Sequence, residues 1–148
     1  TTTPSANENG ETPEPTPDAG TTVDDQDQVI VKQAEKIVEL FGSYTNKSKD
    51  AFKNFTDIKP FASEVMKTWL DNAASGTQDP NAPFYGVTTK AVSSAVLDSS
   101  ANSARILVTT KREEITEQNQ TPRTFYALIV VDMLKEGDEW KVNGLYWQ

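Results

Sequence analysis

PRTFYALIVVDMLK, residues 122–135, decides the architecture. Read with a period of two, Phe125, Ala127, Ile129, Val131 and Met133 share one face, and Tyr126, Leu128, Val130, Asp132 and Leu134 share the other. Both faces are apolar apart from one carboxylate. A strand with water on one side alternates apolar with polar residues. Either the sheet therefore curls around helices on one side, or a partner covers the second face.

Three further runs rich in Val, Ile, Thr and aromatics lie around it, over 85–98, 103–116 and 139–147. Ser99-Ser100-Ala101-Asn102, Glu117-Gln118-Asn119-Gln120 and Glu136-Gly137-Asp138 separate the runs. Each link is short enough for an antiparallel hairpin. No helical segment lies between them, which excludes parallel crossovers. Upstream the period changes. Ile30, Ala34, Ile37, Phe41 and Tyr44 fall on one helical face and predict a helix over 25–45, with Asp24, Asp25 and Asp27 suited to its positive N-terminal end. Asn46 and Lys47 read as its stop. Ser48 reads as the N-cap of a short helical turn carrying Ala51, Phe52 and Phe55. Pro60 suits the first turn of a third helix, in which Phe61, Val65 and Trp69 recur every four residues beside Ala62, Met66 and Leu70. Gly76 reads as its stop, followed by a loop to Pro83. Helices followed by a four-stranded antiparallel meander make an α+β layer pair.

Thr1 to Asp27 holds seven acidic side chains, no Lys or Arg, four of the eight prolines and no aromatic residue. It buries too little apolar surface to offset an ordering cost of about 1–2 kcal/mol per residue. This predicts an extended, solubilising tether over 1–27 joined to a single domain over 28–148. The net charge of −8 sits almost wholly in the tether, because residues 28–148 carry 15 acids and 14 bases. A domain that is not basic is a poor match for nucleic acid. The chain has no Cys and no His. That sets aside a disulfide framework, a thiolate or imidazole metal site, a Ser-His-Asp hydrolase and His acid–base chemistry. Without a Gly-rich phosphate loop or carboxylates at calcium-loop spacing, no metal or cofactor is expected. No run approaches the ~20 apolar residues that span a bilayer. The opening Thr-Thr-Thr-Pro suggests a processed start, with any membrane anchor upstream of Thr1.

A helix, a short helix, a helix bearing Trp69, a Pro-containing loop and a meander ending in Glu139-Trp140-Lys141-Val142-Asn143-Gly144-Leu145 form a recognisable order. Over about 28–148 this resembles the nuclear transport factor 2-like superfamily, in which such an acid-Trp-Lys-Val ending is frequent. The resemblance is strongest to bacterial extracytoplasmic members: the Mce-associated proteins and the VirB-type and TcpC-type conjugation scaffold domains. It implies a cone in which the sheet curls around the helices, with the open sheet face forming a homo-oligomeric or scaffold contact. It also implies placement in the periplasmic space or on the bacterial cell surface, tethered to the membrane. Enzymatic relatives use an Asp or His dyad with a Tyr; this chain departs from them in having no His.

Several residues stand out as candidates. Asp132 sits among apolar neighbours, with Tyr126 on the same face, and reads either as a cavity base or as a partner of Arg105, Arg112 or Arg123 across the sheet. Trp69, Trp140, Tyr146 and Trp147 read as ligand or interface aromatics, with core the favoured place for Trp69 and Trp140. Tyr146 and Trp147 are adjacent in a strand, so one of them faces outward. Lys111-Arg112-Glu113-Glu114 reads as a solvated strand end. The expected function is a non-catalytic interaction or scaffold module. The alternatives are a carrier of a small hydrophobic ligand such as a lipid, and an isomerase- or cyclase-like enzyme using Asp132.

Overall fold

The structure, a computed structural model, describes residues 25–47, 52–76 and 79–148. The tether through residue 24, the Ser48 cap and Ala51 lie outside them. The first helix begins at Asp25, where the sequence places its start. In chain order the elements are α1 (Asp25–Phe41), β1 (Tyr44–Thr45), α2 (Lys53–Ile58), a 3-10 turn (Lys59–Phe61), α3 (Glu64–Ala74), β2 (Tyr85–Ser99), β3 (Ser103–Thr116), β4 (Arg123–Glu136) and β5 (Glu139–Trp147). The strands form one sheet in the order β1-β2-β3-β4-β5, antiparallel throughout. The sheet thus has five strands rather than the expected four.

The fifth strand comes from the end of the expected first helix. α1 stops at Phe41, and Gly42 closes it by donating to the Val38 carbonyl at 2.9 Å. A side chain at Gly42 would place its Cβ 2.6 Å from Thr89 Oγ1 and 2.9 Å from Thr89 Cβ. Only glycine lets the chain pass this close to β2. Thr89 Oγ1 donates to the Gly42 carbonyl at 2.6 Å, and Ser43 Oγ accepts from the Thr89 amide at 2.9 Å. Turned this way, Tyr44 and Thr45 pair with Val87 and Gly86. Asn46 is no helix stop: its Oδ1 accepts from the Tyr85 amide at 2.8 Å and its Nδ2 donates to the Pro83 carbonyl at 2.7 Å, fixing the start of β2.

The helices cover one face of the curled sheet. Ile30, Ala34, Ile37, Val38 and Phe41 of α1 pack with Ile58, Ala62, Met66 and Leu70 against Ile106, Val108, Ile129, Val131, Met133, Trp140 and Val142. Of the two apolar faces of β4, the one with Ile129, Val131 and Met133 is turned inward. The third helix is rotated from expectation: Met66 and Leu70 are buried, whereas Val65 and Trp69 are 70% and 48% exposed. Its start explains the rotation. Pro60 belongs to the 3-10 turn, and Ser63 is the true N-cap, accepting from the Met66 amide at 3.2 Å. Ser63 also donates its amide to the Val142 carbonyl at 2.9 Å, and its hydroxyl donates to Asn143 Oδ1 at 2.7 Å. With the parallel bridge from Ala62 to Val142, this seam sets the helix phase and covers part of the β5 edge.

Three bulges bend the sheet, at Val92 and Leu97 of β2 and at Asn143 of β5, where the partner register skips one residue. The last has the largest consequence. Trp140 and Val142 face inward, opposite Lys135 and Met133; beyond the bulge Gly144 and Tyr146 pair with Asp132 and Val130 on the outer face. Leu145 and Trp147, opposite Val131 and Ile129, therefore turn inward.

Two expected outcomes follow from this packing. Gly42→Ala destabilises the domain by about 1–3 kcal/mol in urea unfolding, and Thr89→Ala in the same chain recovers part of that loss, because the clash is with Thr89. Leu70→Ala costs about 2–5 kcal/mol while Val65→Ala stays within about 0.5 kcal/mol; equal costs would contradict the observed helix phase.

Candidate functional site

Strand parity divides the notable side chains between two surfaces. On the outer face, paired positions form rows across the sheet: Ala95, Leu107, Val130 and Tyr146 in one, and Ser93, Thr109 and Leu128 in the next. Tyr126 lies opposite Lys111 in a third. Tyr126, Leu128 and Tyr146 are 65%, 40% and 54% exposed. Tyr146 is held flat over Gly144, where an added Cβ would meet its ring and hydroxyl at 2.5–2.8 Å. This glycine makes room for a large ring to lie along the strand instead of standing away from it.

Asp132 is on the same outer face, opposite Arg105. Its carboxylate accepts from Arg105 Nε at 2.8 Å and from Nη2 at 3.4 Å, a two-pronged pair. The groove beside it, about 280 Å³ and lined by Asp98, Ser103, Arg105, Asp132 and Asn143 among others, is open and polar. Tyr126 lies six residues along β4, about 20 Å away at the rise of a strand. The two cannot touch one substrate atom together, so the structure does not assemble an Asp132–Tyr126 pair. Of the two readings of Asp132, the cross-sheet ion pair is the one present. Trp140 is in the core as expected.

The second surface is the inner face beyond the end of α1, where rings cluster. Phe41 stacks on Phe55 with centroids 5.7 Å apart and on Trp147 at 6.5 Å, and Trp69 tilts against both Phe41 and Phe55 at 6.4 and 6.0 Å. Phe52 reaches Phe55 at 5.4 Å. Trp69 thus stands at the rim of this cluster, not in the core. From below, the Arg112 guanidinium lies 4.3 Å from the Trp147 ring centroid and 5.6 Å from that of Phe125, and Arg123 covers Phe125 at 4.9 Å. Arg112 Nε donates to Thr89 Oγ1 at 3.1 Å and Nη2 to the Gly42 carbonyl at 3.4 Å. It brings positive charge to the C-terminal end of α1, whose last turn has no basic residue. Arg112 is therefore no part of a solvated strand end. Parity turns it and Glu114 inward, opposite Phe125 and Arg123, while Lys111 and Glu113 face out. That alternation was the signal in the sequence that marked Arg112.

The rings enclose a pocket of about 320 Å³ lined by Phe41, Tyr44, Thr45, Asn46, Phe52, Asn54, Phe55 and Trp147. A wider groove of about 490 Å³ adjoins it beyond Asn54, edged by Lys36, Glu39, Lys53, Asp57 and Lys90. Near the mouth, Tyr85 donates its hydroxyl to Glu114 at 2.8 Å, and Arg123 approaches that carboxylate at 3.4 Å. Burial first, and then the bond to Glu114, push the Tyr85 phenol up to about 12. Among the described residues no cluster of His, Cys, Asp and Glu could hold a metal ion. No helix among them is long and apolar enough to cross a membrane.

No protein-family model matches the chain, and no curated protein matches it. The likeness found is to solved structures. TraH, assigned as a transfer protein of the Gram-positive conjugative plasmid pIP501, aligns with a TM-score of 0.56 at 15% identity, over 79% of this chain and 89% of that one. The intermembrane space region of the chloroplast protein ARC6 aligns at a TM-score of 0.48 and 16% identity, over 82% of this chain and 93% of that one. Bd1075 of Bdellovibrio bacteriovorus aligns at 0.45 and 14%, over 82% of this chain and 40% of that one. At 15% identity the likeness to TraH is one of fold. Helices followed by a curled antiparallel meander is an arrangement that the TraH domain shares.

Tyr85 supplies the expected outcome here. A phenol with a raised folded-state value holds its proton more tightly when folded, so its contribution to stability is complete below the ordinary value of 10 and is lost as pH climbs through about 12. In an ultraviolet phenolate titration, one tyrosine step should appear well above the ordinary value of 10. In Glu114→Gln that late step should move down toward 10 without reaching it, because burial remains; an unmoved step would contradict the Glu114 contribution.

Proposed function

We propose that this domain is a non-catalytic, extracytoplasmic protein-interaction module of a membrane-anchored bacterial protein, an accessory of a transport, secretion or conjugation complex. In this reading it docks a protein partner or a second copy through the outer sheet face. One observation carries it: Tyr126, Leu128 and Tyr146 stand exposed on one strand face, with half-buried Leu107 and Val130 in the row of Tyr146. Exposed contiguous apolar surface rimmed by charge, here Lys111, Arg105 and Asp132, marks a contact site more often than an idle one. Support for the setting comes from the fold shared with TraH and from the resemblance of the helix–meander order to extracytoplasmic members of the nuclear transport factor 2-like superfamily. The ion pair of Asp132 and its distance from Tyr126 favour this reading over an isomerase-like one. The small size of the mouth pocket favours it over a lipid carrier.

Leu128→Asp and Tyr146→Ser test the proposal directly. Both residues lie outside the core, so each variant should unfold within about 1 kcal/mol of the parent. Photocrosslinkers placed at Tyr126 and Leu107 in the full anchored protein should give adducts in the parent that vanish in Leu128→Asp. Sedimentation equilibrium then separates self-association from a different partner. Adducts that persist unchanged in both variants, or none in the parent, would remove the outer face as the docking surface.

A further inference from the structure

The pocket at the mouth has properties that core packing does not require. Phe52 adopts φ 63°, the left-handed region, without being glycine. That conformation costs a bulky residue roughly 1–2 kcal/mol, and such strain concentrates where a binding site needs it. Here it directs the Phe52 ring onto Phe55 and forms one wall of the pocket. Trp147, which also lines the pocket, stacks with Phe41 and has the Arg112 guanidinium 4.3 Å from its ring centroid. Rigid rings thus line an open space instead of closing it. Asn54 is one of the polar residues that line the pocket. It is only 8% exposed; its Nδ2 donates to the Phe41 carbonyl at 2.8 Å, and its Oδ1 accepts from no described residue. Its oxygen is the acceptor left for an incoming N–H or O–H.

Volume limits the occupant. About 320 Å³ is at the bottom of the ~300–1,000 Å³ range of small-ligand sites, so the ring-walled end itself has room for one fused ring. Walls of stacked aromatics prefer a flat ring to a branched aliphatic group, because offset and edge-to-face arrangements add to the burial. Asn54 adds a preference for a ring that carries a donor.

We propose that this pocket binds one planar aromatic ring bearing an N–H or O–H, presented as a tryptophan or tyrosine side chain by a peptide segment of a protein partner. The site lies on the helix-covered side of the sheet, opposite the outer face, so it stands or falls independently of the docking surface above.

The test is a heteronuclear NMR titration of the domain with N-acetyl-tryptophanamide, N-acetyl-leucinamide and free indole. The tryptophan amide should give saturable shifts confined to the signals of Phe41, Tyr44, Phe55, Trp147 and the Asn54 side-chain amide, and the leucine amide should bind at least tenfold more weakly. Phe52→Gly relieves the backbone strain, so it should fold at least as stably as the parent while losing fivefold or more in affinity. Leu128→Asp should bind like the parent. Absence of saturable shifts, equal binding of the leucine amide, or undiminished binding by a folded Phe52→Gly would each overturn the ring site. Saturation by free indole but not by the tryptophan amide would overturn its assignment to a peptide side chain.

Discussion

The close pass of Gly42 over Thr89 is the contact on which the rest of the domain depends. It ends α1, turns the chain into β1, and brings the carbonyl at the helix end within reach of Thr89 and Arg112. Charge, hydrogen bonding and shape act together there. The helix terminus carries partial negative charge, and the guanidinium that meets it comes from the middle strand of the sheet. Because the same guanidinium lies under Trp147, the last inward residue of β5 is tied to the end of the first helix. A cation over an indole contributes about 0.5–2 kcal/mol, more as it is desolvated. Its larger effect here is geometric: Trp147 cannot turn away without uncovering Arg112.

A second constraint acts at the other edge. Antiparallel sheets with open edges invite pairing with other chains, and β5 is partly closed by its own chain. The Ala62–Val142 bridge, the Ser63 amide and Lys141 donating to the Pro60 carbonyl at 2.9 Å fasten the turn before α3 along that edge. The bulge at Asn143 is held by the same Ser63 that caps α3. One serine therefore sets the phase of a helix and stabilises the parity change of a strand. Without that change Tyr146 would face the core and Trp147 the solvent, and neither the tyrosine on the outer face nor the ring cluster at the mouth would exist.

The strands were legible because their signal is local. Alternation, β-branched residues and short polar links placed β2 to β5 within a residue or two of their observed ends, and the two apolar faces of β4 were evident in residues 125–134 alone. What was not legible depended on contacts between distant residues. Tyr44 continues the apolar stripe of α1, and nothing within the helix says that Thr89 will force the chain to turn two residues earlier. Phe61, Val65 and Trp69 form as regular a stripe as Ala62, Met66 and Leu70, and only the seam between Ser63 and Val142 selects the second. Trp147 was placed in a strand correctly, but its direction follows from one extra residue at position 143. Arg112 looked like surface because charged runs usually are; its inward parity was readable, its role beneath an indole was not.

The two candidate surfaces make different physical demands, and that difference explains their composition. The outer face needs only apolar area, and the absence of a side chain at Gly144 lets Tyr146 lie low along it. The mouth has to keep a hollow open against the tendency of apolar groups to close it. Collapse is resisted by rings that cannot change shape, by an arginine fixed under one of them, and by a phenylalanine held in a backbone conformation it would not otherwise choose. A core that needed only stability would relieve Phe52 and fill the space. The retained strain at Phe52, beside a ring-lined hollow, is what distinguishes the mouth from ordinary aromatic packing and makes it the part of the fold with the least purely structural explanation.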